Sequence, residues 1–364
     1  MQPMILVINP GSTSTKVALY SAEQPLWNEN IKHEKDVIAS FPTIYSQLDM
    51  RYETVSSLLR EKQTDLGQLC AVVARGGLLQ PVPSGAFLVN DLMLDTLEHH
   101  PINHHASNLG AAIAYRIAQP LGIPAYIYDP VTVDEMEEVA RLTGLREVRR
   151  FGQGHNLNMR AAALRYCREK QVDYKSVNLL VAHLGGGITM SLHSHGRIID
   201  FLSDDDGAFS PERAGEIPTY KLINLIFDHN YTKEEIYKKL QRAGGLQSHL
   251  GTTDACEVEA RIAANDQYAD LVYEAMALNV ARGLARLSVM VNGAVDAVIL
   301  TGSIAYSANF TQRIQKRISF IAPVTVLAGE NEMQALAEGA LRVLRGEETA
   351  RDYTPPTDNA GGVQ

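Results

Sequence analysis

Cysteine is scarce in this 364-residue chain: Cys70, Cys167 and Cys256 are odd in number and far apart. That excludes a disulfide framework and a CxxC metal site, and makes a reducing, cytoplasmic setting the expectation. Apolar runs long enough to cross a bilayer are missing too. Met1 to Ile8 has neither the length nor the basic start of a signal peptide, so neither a membrane partner nor export is expected. Excess positive charge is absent. The formal net charge is −9, and Lys and Arg are dispersed except around Arg146, Arg149 and Arg150, which speaks against a nucleic-acid partner. A Walker loop is lacking as well, because no Gly-Lys pair closes the first glycine-containing turn.

What is present is a pair of similar turns. Met4 to Ile8 has the length of a buried strand, Asn9 to Ser14 is rich in Gly, Ser and Thr, and Lys16 to Tyr20 continues as a second strand. Small residues let backbone approach a ligand, while N–H groups, the Ser12 and Ser14 hydroxyls and the Lys16 ammonium can face an anion. The same form recurs at Val181 to Leu192, where His183 stands in the place of Asn9 and Gly185, Gly186 and Gly187 form the turn. Two α/β halves, each opening with a phosphate hairpin, suggest a nucleotide clamp of the actin, hexokinase and Hsp70 type. The length agrees, being too great for one core.

Strands are expected at 4–8, 16–20, 26–33, 71–74 and 124–128, with helices near 42–62 and 107–119. In the second half, strands near 177–183, 188–193, 197–201, 294–300 and 323–327 are expected with helices at 156–170, 267–292 and 332–345. The expected fold class is α/β, with two actin-like (ribonuclease H-like) domains and an interdomain nucleotide cleft. Residues 1–155 would form the first domain, with part of the last helix, about 330–346, packing on it. Residues 156–329 would form the nucleotide-binding second domain, and 347–364 a loose tail.

Several blocks together resemble the acetokinase family, within it most the butyrate kinases, over nearly the whole chain. They are Asn9 to Lys16, His183-Leu184-Gly185-Gly186-Gly187, Arg149-Arg150-Phe151-Gly152 with His155, Ser210 to Pro218 around Arg213, and Leu300-Thr301-Gly302-Ser303-Ile304. The resemblance implies reversible, Mg²⁺-dependent phosphoryl transfer from ATP to butyrate or a related short or branched acid, giving an acyl phosphate and ADP. Alternatives are an acetate or propionate kinase of the same family, an actin-fold kinase acting on a hydroxyl, and a non-catalytic nucleotide-binding protein.

A carboxylate nucleophile is already ionised near pH 7 and needs no general base. The difficulty is that an anion must approach another anion, so cations and donors must crowd the site. The resemblance supplies Arg213, His155 and His183 as catalytic residues, with Arg213 able to bind two phosphoryl oxygens through its planar fork. Asp129, at the end of a strand, would orient an Arg or the Mg²⁺ shell. Asn9, Arg75 and His105 would bind substrate, Arg75 standing in the place of a family His. Ser12, Ser14, Lys16, Gly185, Gly186, Gly187, Gly302, Ser303 and Ile304 would hold phosphate or nucleotide. Glu332, or alternatively Glu330, would hold Mg²⁺ through water.

Each residue also has a bland reading. Arg213 could pair with Glu212 or Glu216, Asp129 could be a turn-former before Pro130, His183 a satisfied core residue, and Glu332 a helix-start acid. The run His99 to His105 invites a zinc reading, but Pro101 interrupts it and no partner lies at ligand spacing. His193 and His195 flank a hairpin turn and are expected to be solvated. The Asp204-Asp205-Asp206-Gly207 loop lacks the Ca²⁺-loop pattern and is expected to line the site or cap the Arg213 segment. A homodimer or higher homo-oligomer is expected.

Overall fold

The computed structural model describes residues 2–354. The chain divides into two compact units, Met1–Asp134 with Asn331–Gln364, and Glu135–Glu330. Residues 135–155, expected in the first half, therefore group with the second. There the Glu137 N–H donates to the Ile199 carbonyl, and Arg150 pairs with Asp200 and Asp206.

In the first unit β1 (Met4–Pro10), β2 (Ser14–Ser21), β3 (Gln24–Lys32), β4 (Leu69–Arg75), β5 (Ala86–Leu88), β6 (Ala125–Tyr128) and, late in the chain, β12 (Arg351–Asp352) form a sheet ordered β12-β5-β6-β4-β1-β2-β3. In the second, β7 (Asn178–Leu184), β8 (Ile188–Ser194), β9 (Arg197–Leu202), β10 (Ala297–Gly302) and β11 (Val324–Ala328) follow the order β11-β10-β7-β8-β9. The repeat is visible in this order. Each half has an antiparallel meander whose first strand pairs in parallel with a later strand.

Both faces of the central strands are buried, which is why they read as continuous apolar runs rather than alternating ones. Period-two geometry sorts their side chains. Leu6 and Ile8 of β1, with Val72 and Ala74 of β4, join one core with the helix Leu109–Ala118. Val7 and Asn9 point to the other face, on which the helix Glu332–Leu344 packs. Likewise Leu180, Ala182 and Leu184 of β7 enter the core built on the helix Gln267–Ser288. His183 faces the helix Asn156–Lys170 instead.

Three local expectations change. The helix expected near 42–62 starts only at Leu48 (Leu48–Glu61), because Pro42 breaks regular helix and Thr43 and Ser46 close a turn on each other; a separate short helix, Lys35–Ala39, precedes it. His193 is not solvated: it is fully buried and hydrogen-bonded by the Tyr174 and Ser191 hydroxyls, and burial pushes its imidazole down to about 3. Of the expected loose tail, 347–354 folds back onto the first unit, while 355–364 lie outside the described residues. Tyr353 is buried, β12 pairs with β5, and the Glu348 carboxylate accepts from the Tyr128 hydroxyl.

Gly302, at the end of β10, has φ +92°, and a Cβ there would lie 2.3 Å from the Leu184 carbonyl oxygen. Backbone of this kind is nearly reserved to glycine. Gly302→Ala is expected to cost about 1–3 kcal/mol from the backbone conformation alone, read as a lowered thermal midpoint. Gly144→Ala, with open space around the added carbon, should leave the midpoint unchanged.

Candidate functional site

The first hairpin ends β1 with Asn9 opposite Lys16 and Pro10 opposite Thr15. Its turn leaves Ser12, Thr13 and Lys16 exposed and Ser14 half-buried. Because Asn9 lies on the face covered by the helix Glu332–Leu344, its amide meets the start of that helix, donating to Glu332 Oε2 at 2.8 Å. The other oxygen of Glu332 lies 3.3 Å from Arg75 Nη1, at the end of β4. Both charged side chains keep about a quarter of their surface exposed, so they can exchange partners with a ligand.

His105 sits beside this group. Its Nδ1 accepts from the Ser107 N–H and meets the Ser107 hydroxyl, which leaves the ring proton on Nε2. Burial first, then the charges of Arg75 and Arg51, hold the imidazole below its ordinary value, so it is neutral at pH 7. Asp129, the residue after β6, is buried with φ +39°, and its Oδ1 accepts from the Gly85 N–H at 2.6 Å while its own N–H donates to the Gly85 carbonyl. The reciprocal bonds hold a non-glycine residue in a left-handed conformation at a strand end, where ligands bind in α/β sheets.

In the second unit His183 is buried and its ring stacks on His155, centroids 3.8 Å apart and planes 7° from parallel. Asn158 Nδ2 donates to His183 Nδ1 at 2.9 Å and approaches the Thr301 hydroxyl, which itself donates to the Gly329 carbonyl. Nδ1 is therefore the acceptor and the proton sits on Nε2. That atom lies 3.1 Å from Glu330 Oε1, off the line of a good hydrogen bond, and is otherwise buried without a partner. His155 is fixed from the other side by the Thr189 hydroxyl at 3.0 Å.

Glu330 connects this histidine pair to the turn after β10. It accepts from the Ser303 N–H, and the His183 contact, ahead of the contributions of His155 and Ser303, holds its carboxyl below the usual range. Gly302 and Gly329 exchange two backbone hydrogen bonds that seat this turn. Of the three turn residues, Ile304 offers a ligand only backbone, since its side chain belongs to the hydrophobic core.

Arg213 comes to the second hairpin through the loop 210–213. The Ser210 hydroxyl donates to the Gly186 carbonyl at 2.7 Å and accepts from the Arg213 N–H. The guanidinium lies over Gly187, where an added Cβ would stand 3.0 Å from its central carbon. Its partner is Asp204, at 2.5 Å, and not Glu212 or Glu216. A third of the side chain remains exposed. The Asp204 loop thus caps the Arg213 segment.

The first unit therefore gathers Asn9, Arg75, His105 and Glu332, and the second gathers His155, His183, Glu330, Ser303, Gly185 to Gly187 and Arg213. Asn158, Thr301 and the buried Arg51 were not singled out from the sequence. Asn158 had a readable mark, since helical spacing puts it on the turn that faces β7. Thr301 had none, because an apolar strand ending in Thr is ordinary.

A sequence profile described as the acetokinase family matches residues 92–335. The chain belongs to that family. It is 46% identical over 350 residues to "Probable butyrate kinase 2" of Caldanaerobacter subterraneus subsp. tengcongensis, covering 96% of this chain and 99% of that one. It is 43% identical over 355 residues to "Butyrate kinase 2" of Clostridium acetobutylicum, covering 97% and 100%. Among solved structures, the acetate kinase of Porphyromonas gingivalis superposes with a TM-score of 0.76 at 17% identity, over 94% of this chain and all of that one. The fold is that of the acetokinases, and the two hairpins with their crossing helices are its repeated α/β halves. No helix among the described residues is long and apolar enough to cross a membrane.

No group of three or more His, Cys, Asp or Glu among the described residues could hold a metal ion. Magnesium bound beside nucleotides ordinarily uses one or two carboxylates plus phosphates and water, and Glu332 or Glu330 fits that mode.

Because its folded-state value is depressed, Glu330 contributes stability that is present above about pH 4.5 and lost as pH falls through the lower folded value. Glu330→Gln should therefore be less stable than the parent at pH 7, and the two denaturation midpoints should converge as pH falls from about 4.5 through that lower value. A constant gap across that range would contradict the assignment.

Proposed function

We propose that this chain transfers a phosphoryl group between ATP and a short carboxylic acid, with butyrate or a related short or branched acid as the acceptor. The near-full-length identity to two butyrate kinases carries the reading. The carboxylate attacks the γ-phosphorus in line, the bond to the β-phosphate oxygen breaks, and the products are an acyl phosphate and ADP.

The geometry suits this chemistry. An ionised carboxylate needs no base, and the histidines of the second unit are arranged as donors: His183 keeps its proton on Nε2, and that proton lacks a well-aligned partner. In the proposal a phosphoryl oxygen completes that bond. Arg213 trades Asp204 for the phosphoryl group, whose spreading charge its fork matches better than one carboxylate does. His155 stacks behind His183 and restricts its ring to one plane.

Arg75 clamps the substrate carboxylate and His105 donates from Nε2, while Asn9, Ser12, Ser14 and Lys16 hold phosphate. Gly185 to Gly187, Gly302, Ser303 and the Ile304 backbone receive the nucleotide. Asp129 is a positioning residue held by Gly85. Glu332, or alternatively Glu330, would hold Mg²⁺ through water, and the ion would supply neutralising charge on the phosphates.

Mixing protein, ATP, Mg²⁺ and hydroxylamine with acetate, propionate, butyrate or isobutyrate should yield acyl hydroxamate, most from the four-carbon acids. No hydroxamate from any of them sinks the proposal, and phosphorylated glycerol or sugar would replace it with a hydroxyl kinase. Arg213→Ala should lower turnover by about 10³-fold or more with an unchanged circular dichroism spectrum; near-normal turnover would show that another group stabilises the charge.

A further inference from the structure

The helix Leu48–Glu61 turns Leu48, Arg51, Val55 and Leu59 to one buried face. An arginine thus stands where helical spacing calls for an aliphatic side chain. Arg51 is fully buried, and no carboxylate among the described residues pairs with it. Burial pushes its guanidinium down to about 10, which leaves it charged at neutral pH.

A buried cation is costly unless its donors are satisfied. Arg51 spends them on the first hairpin. Nη1 donates to the carbonyls of Gly11 at 2.9 Å and Ser14 at 3.1 Å and to the Thr15 hydroxyl at 3.1 Å. Nη2 reaches the Ser12 carbonyl at 3.2 Å, and Nε the Gln47 side-chain oxygen at 3.1 Å. The one remaining carbonyl of the turn, Thr13, accepts from the His33 N–H at 2.9 Å.

In a trans peptide the C=O and the following N–H point in opposite directions. Turning the Gly11 and Ser12 carbonyls inward onto Arg51 therefore turns the Ser12 and Thr13 N–H groups outward. Both residues are exposed, and neither N–H is bonded to a described residue. Successive outward N–H groups form an anion-binding concavity. Behind it lies a positive charge compensated by dipoles alone.

The second hairpin is braced differently. Its Gly186 carbonyl accepts from the Ser210 hydroxyl and the Glu212 N–H, both neutral groups. The two turns share a shape, but a fully buried cation braces the carbonyls of the first alone, the partly exposed Arg213 lying over Gly187 in the second.

We infer that Arg51 is a positioning residue and buried counter-charge of the first hairpin: it aims the Ser12 and Thr13 N–H groups at a phosphate and favours the most highly charged form of the nucleotide. This rests on the kinase reading only in taking that phosphate to be the transferred one. ATP and ADP differ by that group, so Arg51 discriminates between them, which a residue needed only for folding would not do.

The test is calorimetric binding of MgATP and MgADP to the full chain, to Arg51→Met and to Arg51→Lys, with circular dichroism as the fold control. Arg51→Met is expected to weaken ATP at least tenfold and ADP less than threefold. Arg51→Lys keeps the charge without the fork, and is expected to weaken ATP three- to tenfold with ADP unchanged; it decides the matter if the methionine variant does not fold. Unchanged ATP binding in a folded variant, or equal losses for both nucleotides, overturns the inference. A parent chain that makes no acyl hydroxamate yet shows this ATP-specific loss keeps the inference and removes the carboxylate reading.

Discussion

The arrangement depends on one constraint: strands buried on both faces have nowhere to present polar groups except at their ends. Asn9 and His183 are the last side chains of β1 and β7 on the faces that carry the crossing helices. Each is met there by polar residues from the first turn of a helix or the segment leading into it, Glu332 for Asn9, and His155 and Asn158 for His183. An unpaired Asn or His at such depth would cost the desolvation of its polar atoms. The clasp removes most of that cost and aims what is left over toward the turn.

From that clasp the electrostatics of each half follow. In the first, the charges are Arg75 and Glu332, with Arg51 buried behind the turn. In the second, His183 Nε2 faces the Glu330 carboxylate, and Arg213 pairs with the partly exposed Asp204. Partly exposed ion pairs of this kind contribute little to stability and are cheap to exchange.

Much of this was legible in the chain. The central strands were readable because two-sided burial makes them long apolar runs, and the repeat was readable because both turns need small residues. Arg213 and His183 stood out because they lie inside family blocks, whereas Arg75 stood out as a departure from one. Arg51 was not, because a lone arginine at the i+3 position of an apolar stripe carries no local mark; only the turn it reaches, some forty residues earlier, gives it a purpose. Asp204 and Glu330 were ambiguous for a similar reason, since an acidic residue near a turn suits solvent, metal or arginine equally well. His193 was misread because a hairpin position implies exposure only when no helix covers it, and Tyr174 shows that this one is covered.

The sequence by itself determined the α/β alternation, the two glycine turns and the family blocks, because these depend on period, residue size and local order. Tertiary structure alone decided which partner each charged residue meets: Asp204 for Arg213, Glu332 for Arg75, and four backbone and side-chain oxygens of the first hairpin for Arg51. The physical reason is that Coulomb and hydrogen-bond energies are set by distance and burial. Both become known only when segments far apart in the chain are packed together.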